Sequence, residues 1–194
     1  MVIDYSLYVQ RCIRENNQVN EKLLLRGKSL MEIADKIVEC YKKTGKVLIC
    51  GNGGSAADSQ HIAGELVGKF KLERSPLCAI ALSTDTSILT AWSNDYNFEG
   101  VFARQVEAHA KENDILLGIS TSGNSKNVIK AFEMGKRIGT YNISLTGEEG
   151  RKLKELSDIC FDVPSRDTPR IQEAHMLIYH IVCDLVEKKL FGRE

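Results

Sequence analysis

The chain has 194 residues, 43% of them hydrophobic, and this size is typical of one compact domain, taken here as residues 1–194. Its 26 basic and 26 acidic residues balance, so the sequence has no basic field that would attract nucleic acid. The six cysteines form no CxxC pair, and no apolar run reaches the roughly 18 residues of a membrane span, so we expect a reduced, cytoplasmic protein without a membrane segment.

The first part of the chain has helical periodicity. Apolar residues recur at helical spacing from about Tyr5 to Tyr41, and Gly27 marks a break, which predicts two helices before the first strand.

Five short apolar runs follow, separated by sequence of helical character. Because each run is apolar on both faces, the pattern predicts buried parallel strands covered by helices on two sides. The predicted strands are Val47–Cys50, Cys78–Ser83, Ile115–Ile119, Tyr141–Leu145 and Ile159–Val163. A final helix is predicted from about Thr168 to Leu190. The expected fold is an α/β domain, a three-layer αβα sandwich with a five-stranded parallel sheet, preceded by two N-terminal helices.

The first predicted strand ends in a glycine-rich loop. Gly51, Gly53 and Gly54 allow the backbone to approach a ligand closely, and Ser55 is placed to cap the next helix. An ordinary strand-to-helix turn is the alternative, since such turns favour Gly and Ser. The loop also matches a dinucleotide fingerprint, but no acidic residue stands about 20 residues further on at the end of the second strand. A nucleotide P-loop is excluded because no Lys-Ser or Lys-Thr follows the glycines.

A second loop, after the third predicted strand, is rich in hydroxyl groups. Ser120, Thr121, Ser122 and Ser125 precede a helix expected to start near Asn127, where an anion would meet free amides and a favourable dipole. A serine-rich capping turn without a ligand is the alternative. We favour a phosphate monoester of a small sugar, held by amides and hydroxyls because the loop contains no Arg or Lys.

Candidate catalytic and metal-ligating residues lie on two predicted helices. His61 and Glu65 are four residues apart and share one helical face, so they can bind one metal ion or one substrate atom, although a simple surface pair has the same spacing. Gln172 and His180 are polar residues in the apolar last helix. They are separated by about 12 Å of axial rise, too far to share one zinc. If both serve one site, one must come from another copy of the chain; otherwise His180 is a buried structural histidine.

Four segments together resemble the phosphoheptose isomerases of the sugar isomerase (SIS) superfamily: CGNGGSAADSQHIAGEL, SNDYNFEGVFARQVEA, ISTSGNS and TPRIQEAHMLIYHIV. The resemblance covers nearly the whole chain. It implies a SIS sandwich of flavodoxin-like topology, with residues 1–45 packing between subunits and residues 46–194 forming the core and C-terminal helix. It also implies a cytosolic homotetramer that interconverts sedoheptulose 7-phosphate and D-glycero-D-manno-heptose 7-phosphate, the first step of heptose biosynthesis for bacterial lipopolysaccharide or capsule.

The resemblance further implies site residues, carried over motif by motif. One zinc per subunit, at a subunit interface, would be held by His61, Glu65, Gln172 and His180. Phosphate would be held by Ser120, Thr121, Ser122 and Ser125. The remainder of the substrate would be held by Asn52, Gly53, Gly54, Ser55, Glu65, Asn94, Asp95 and Gln172. Thr168-Pro169 departs from the family pattern, but proline suits the first turn of a helix.

Isomerisation through an enediol needs a base that moves a proton between neighbouring carbons and a carrier that moves one between the two oxygens. We assign these roles to Glu65 and His180, with the metal polarising the carbonyl. Because a zinc-bound carboxylate loses basicity, either Glu65 leaves the ion during turnover or the metal mainly positions the substrate.

Two other functions are compatible with the scaffold. A non-catalytic SIS protein that associates with a replication initiator has similar motifs, and nicotinamide binding would use the glycine loop. Polar side chains such as Gln172 and His180 in an apolar helix favour the enzyme over the interaction protein, because an interaction protein has no need for them.

Overall fold

Strands and helices alternate along residues 4–192, the part of the chain that the computed structural model describes. The strands are β1 (Val47–Gly51), β2 (Ala79–Ala81), β3 (Ile115–Ser120), β4 (Tyr141–Thr146) and β5 (Ile159–Asp162). The α-helices are α1 (Tyr5–Leu23), α2 (Gly27–Lys42), α3 (Gly54–Val67), α4 (Thr86–Asp95), α5 (Val101–His109), α6 (Lys126–Ile138), α7 (Arg151–Glu155) and α8 (Thr168–Phe191). Short 3-10 turns span Leu24–Arg26 and Phe98–Gly100.

The five strands form one parallel sheet in the order β2-β1-β3-β4-β5. This confirms the predicted α/β fold with its five-stranded parallel sheet. The prediction for the second strand was too long, because β2 covers only Ala79–Ala81. It is an edge strand with three register pairs to β1, and the chain soon leaves the sheet to enter α4, where Asp85 accepts a hydrogen bond from the amide of Ile88 at 2.9 Å.

The break predicted near Gly27 is confirmed by the 3-10 turn between α1 and α2. Helix α1 begins at a cap in which the carboxylate of Asp4 accepts hydrogen bonds from the amides of Ser6 and Leu7. Of its residues, only Val19 and Leu23 are buried. Most of the apolar face of α1 is therefore solvent-exposed in the single chain.

Apolar side chains fill both sides of the sheet. In β1, Ile49 packs against the layer formed by α2, α3 and α8, whereas Leu48 packs against α5 and α6 on the opposite face. Gly118 in β3 lets the ring of Phe132 lie on the sheet, because an added Cβ would stand 2.4 Å from that ring. Helices α3 and α8 thus share one face of the sheet. Within residues 4–192, no helix is long and apolar enough to cross a lipid bilayer.

Candidate active site

The two special loops lie next to each other at the carboxyl edge of the sheet. They follow β1 and β3, which are neighbouring strands. After β1 the chain adds β2 on one side of β1 and then β3 on the other, so the strand order changes direction between these two strands. Ligands of open α/β sheets bind at such switch points. The amides of Asn52 and Asn127 join the loops through two reciprocal hydrogen bonds of 2.8 Å. Asn52, predicted to hold sugar, therefore also ties the two loops together.

Hydroxyl groups converge in the loop after β3. The Oγ of Ser120 lies 2.9 Å from the Oγ of Ser125 and 3.4 Å from that of Ser122. Helix α6 begins at Lys126, one residue before the predicted start, and Ser125 makes no side-chain capping hydrogen bond. Ser125 thus occupies the cap position without using its hydroxyl as a cap, and that hydroxyl faces the other serines of the loop. This arrangement is suited to an anion at the amino terminus of α6.

The neighbouring backbone fixes the shape of this hydroxyl loop. Gly123 has a φ of +64°, and an added Cβ would lie 2.3 Å from the carbonyl oxygen of Gly150. The carbonyl of Gly123 accepts a hydrogen bond of 3.0 Å from the amide of Leu153 in α7. Thr121 accepts a similar bond, also 3.0 Å, from the amide of Gly147. The loop is therefore held from the β4 side by main-chain contacts.

Two arginines that the sequence analysis missed lie at the edge of the hydroxyl loop. A cavity of about 280 Å³ is lined by Thr121, Ser122, Arg151 and Arg166. Arg166 pairs with Glu148 and also lies 3.1 Å from a carboxylate oxygen of Glu149, which offsets part of its charge. The predicted neutral cradle thus has charged side chains of both signs beside it, since Glu148 lines the same cavity. These arginines follow β4 and β5, so only the sheet order brings them to this loop.

The glycine loop differs from prediction in its cap. Helix α3 begins at Gly54, and Gly53 with a φ of +56° occupies the cap position without a side-chain hydrogen bond. The prediction that Ser55 caps the helix is wrong, because Ser55 lies inside the first turn and is buried. Position 54 requires glycine because of a contact between helices rather than because of a ligand: an added Cβ would stand 2.2 Å from Nε2 of Gln172. Gln172 of α8 thus contacts the start of α3.

Three of the four predicted metal ligands meet within one chain. Nε2 of His61 lies 3.0 Å from Oε1 of Glu65 and 3.4 Å from Nε2 of His180. One ligand atom from each residue lies within 4.8 Å of the other two. His180 is partly exposed, which excludes the alternative of a buried structural histidine. Two imidazole nitrogens and a carboxylate oxygen are a donor set that Zn²⁺ prefers, so the site fits a divalent cation.

Gln172 does not join this cluster in the same chain. It contacts Gly54, which precedes His61 by seven residues or about 10 Å of axial rise. Because α3 and α8 run side by side in the same direction, Gln172 meets the start of α3 and His180 meets its middle. Within one chain α8 thus brings His180, but not Gln172, to His61 and Glu65, in keeping with the separation of these two residues along α8.

Two buried residues behind the cluster were not predicted. The hydroxyl of Tyr179 lies 3.0 Å from Nδ1 of His61 and 3.4 Å from Oδ1 of Asp58. Burial raises the pKa of both Tyr179 and Asp58. Burial, followed by the nearby His61, lowers the pKa of His180, which favours the neutral imidazole that binds metals. Asp58 lies one helical turn before His61, and this spacing was the available sequence signal.

Asn94 and Asp95 lie together on α4. They are exposed at the carboxyl end of α4, and their side chains hydrogen-bond to each other at 2.9 Å. Helix α4 packs mainly against α5 and the 3-10 turn at Phe98–Gly100. Across residues 4–192, no side-chain hydrogen bond links either residue to the site. Their role in binding sugar stays a prediction.

Comparison with known proteins agrees with this fold. The SIS domain family model matches residues 10–147. A phosphoheptose isomerase of Clostridium acetobutylicum is 50% identical over 190 residues, covering 96% of this chain and 97% of the relative. One from Helicobacter pylori strain Shi470 is 60% identical over 152 residues, covering 78% of this chain and 79% of the relative.

Solved structures give the same result. The phosphoheptose isomerase of Francisella tularensis matches with a TM-score of 0.93 and 36% identity, covering 96% of this chain and 100% of that one. The Neisseria gonorrhoeae enzyme matches with a TM-score of 0.85 and 40% identity, covering 95% and 97% of the two chains. The chain therefore belongs to the SIS domain family and, within it, to the phosphoheptose isomerases.

Proposed function

We propose that this chain is an aldose–ketose isomerase that interconverts sedoheptulose 7-phosphate and D-glycero-D-manno-heptose 7-phosphate. The observation that carries the proposal is the convergence of Glu65 and His180, a carboxylate and an imidazole, in a relative of phosphoheptose isomerases. The product would serve heptose biosynthesis for bacterial surface glycans, and we place the enzyme in the cytoplasm.

The phosphate group is assigned to the hydroxyl loop after β3. Ser120, Ser122 and Ser125 direct their hydroxyls toward one another, at the amino end of α6. Hydroxyls and helix amides satisfy phosphate oxygens without a direct ion pair. Arg151, at the edge of the same loop, adds positive charge near the dianion, whereas the charge of Arg166 is offset by Glu148 and Glu149.

The sugar carbons are assigned to the space beside Glu65 and His180. Glu65 removes the proton from the carbon next to the carbonyl and returns it to the neighbouring carbon, while His180 carries a proton between the two oxygens. Oε1 of Glu65 faces His61 at 3.0 Å, which leaves Oε2 for proton transfer. Because a zinc-bound carboxylate loses basicity, Glu65 would act as the base only after leaving the ion, or the metal would mainly position the substrate.

The cluster of His61, Glu65 and His180 is the proposed site of a zinc ion. A divalent cation held there would polarise the sugar carbonyl and stabilise negative charge that develops on it. Gln172 would complete the donor set only from another copy of the chain, because within one chain it lies about 10 Å along α3 from His61.

Assembly into a homotetramer is proposed on the exposed apolar surface. Leu24 and Leu25, at the turn between α1 and α2, are 81% and 91% exposed. An apolar groove of about 370 Å³ lies beside them, lined in part by Met31 and Ile181. Apolar surface of this kind is typical of contacts between subunits. We assign residues 1–45 to this packing, of which residues 1–3 lie outside the part of the chain that the structure describes.

The proposal is tested by incubating purified protein with sedoheptulose 7-phosphate and following aldose formation, with and without a chelator. Glu65→Gln and His180→Gln should each lower turnover by about 10²- to 10⁴-fold while the circular dichroism spectrum is unchanged. Glu107→Gln and His109→Gln are matched controls, because both residues are exposed on α5 across the sheet. Wild-type turnover in either site variant would refute the assigned roles, and no aldose from the wild-type protein would refute the reaction.

The non-catalytic alternative is not favoured. The relatives at 50% and 60% identity are named as isomerases. Nicotinamide binding also lacks support, because no acidic residue stands about 20 residues after the glycines at the end of β2.

A further inference from the structure

A tyrosine hydroxyl stands between the proposed cation site and a buried carboxylate. Tyr179 is 2% exposed, and its ring packs edge-on against His61 with the centroids 5.3 Å apart. Its hydroxyl lies 3.0 Å from Nδ1 of His61, the ring nitrogen that faces away from Glu65 and His180. On its other side, the same oxygen lies 3.4 Å from Oδ1 of Asp58.

The single proton of this hydroxyl can serve only one of these neighbours. Asp58 is 8% exposed, and its Oδ2 has no hydrogen-bond partner among the described residues. Tyr179 is the donor to Oδ1. Because an unsatisfied buried carboxylate is costly, the hydroxyl proton belongs on the Asp58 side. The tyrosine oxygen then presents a lone pair to Nδ1 of His61, and that nitrogen must carry a hydrogen.

The tautomer of His61 follows from this arrangement. A neutral imidazole with its hydrogen on Nδ1 has a lone pair on Nε2. Nε2 is the atom that lies 3.0 Å from Glu65 and 3.4 Å from His180. The opposite tautomer would donate from Nε2 to Glu65 and accept from Tyr179, which would leave the buried Asp58 without any hydrogen bond. The tautomer with its hydrogen on Nδ1 instead removes the hydrogen from the contact between Nε2 and Glu65, but Glu65 is partly exposed, so water can satisfy its carboxylate, and Nε2 can accept from His180.

We propose that Tyr179 and Asp58 are positioning residues that hold His61 in the tautomer whose Nε2 is free to bind a cation. The inference rests on the proposed cation site and deepens it. Groups that hydrogen-bond to the second nitrogen of a metal-binding histidine commonly change metal affinity by about 10- to 100-fold when they are removed. The cluster would then accept a cation without rotation of the ring or transfer of a proton.

The tautomer can be measured in the metal-free protein. Long-range ¹H–¹⁵N correlation spectra distinguish protonated from unprotonated ring nitrogens, and they are recorded at about pH 8, above the ordinary imidazole pKa of about 6.5. We expect Nδ1 of His61 to be protonated in the wild type. In Tyr179→Phe the hydrogen should move to Nε2, where Glu65 accepts it. Asp58→Asn should cause the same change, because the amide no longer draws the tyrosine proton and can itself donate to that oxygen.

Zinc affinity provides the second readout, measured by competition with a chromophoric chelator. Tyr179→Phe should weaken Zn²⁺ binding by about 10- to 100-fold. Tyr41→Phe is the matched control, because its hydroxyl donates a 3.2 Å hydrogen bond to the carbonyl of Cys78 outside the cluster. If Tyr179→Phe does not fold, Asp58→Asn carries the test.

Two results would overturn the inference: a protonated Nε2 on His61 in the metal-free wild type, or an unchanged tautomer and zinc affinity in the Tyr179 and Asp58 variants. Failure of the wild type to bind zinc would instead count against the proposed cation, and the tautomer measurement would still decide the role of Tyr179.

Discussion

Replacing Gly54 by alanine should separate activity from stability. The added Cβ would lie 2.2 Å from Nε2 of Gln172 and 3.1 Å from its Cδ, whereas ordinary contacts begin at 3.4 Å. The end of the Gln172 side chain must therefore move by about 1 Å. Misplacement of a substrate-positioning group by about 1 Å can cost about 100-fold in rate. We expect isomerase activity to fall by about 10- to 100-fold.

Stability should change little in the same variant. Alanine is preferred over glycine in helix interiors by up to about 1 kcal/mol, and Gly54 is the first residue of α3, where the gain is smaller. The clash involves a flexible side-chain end, so it adds only modest strain. The free energy of unfolding in urea should thus stay within about 1 kcal/mol of the wild type.

Gly64→Ala is the control, because Gly64 is in the same helix and an added Cβ would contact nothing within 4 Å. It should retain activity. A double-mutant cycle adds Gln172→Ala, in whose background Gly54→Ala should cost little further activity. Equal activity of the Gly54 and Gly64 variants, or full additivity in the cycle, would refute this reasoning.

Three further predictions concern stability. Burial lowers the pKa of His175 to about 4, below its value in the unfolded chain, so the unfolded chain binds the proton first as the pH falls. The free energy of unfolding should therefore fall by up to about 3 kcal/mol between about pH 6.5 and pH 4. In urea titrations, His175→Gln should flatten this dependence on pH. Gly123→Ala should lower the free energy of unfolding by at least about 1–2 kcal/mol, because the residue has a positive φ and its added Cβ would lie 2.3 Å from the carbonyl oxygen of Gly150. An unchanged midpoint of urea unfolding would contradict this. Glu187→Gln should lower the free energy of unfolding by about 3–5 kcal/mol, because it leaves the buried Arg74 without its charged partner; both side chains are 1% exposed. Adding Arg74→Met to the same chain should restore part of this stability, measured by thermal unfolding.

Local patterns in the sequence were sufficient for several features. The apolar runs predicted all five strands, although the edge strand β2 proved shorter than its run. The contact between His61 and Glu65 follows from their spacing on one helix, since residues four apart are surface neighbours. The hydroxyl loop was predicted because its serines directly follow a buried strand. In each case the determining interactions lie within one element or at its end.

Contacts between distant elements required the tertiary structure. His180 meets His61 across 119 residues because α3 and α8 lie side by side on one face of the sheet, which the spacing within α8 cannot reveal. The same packing directs Gln172 to Gly54 and brings the Tyr179 hydroxyl between His61 and Asp58. Sequence thus determined which groups of this protein are available for chemistry, whereas the order of strands and the packing of helices decided which of those groups meet.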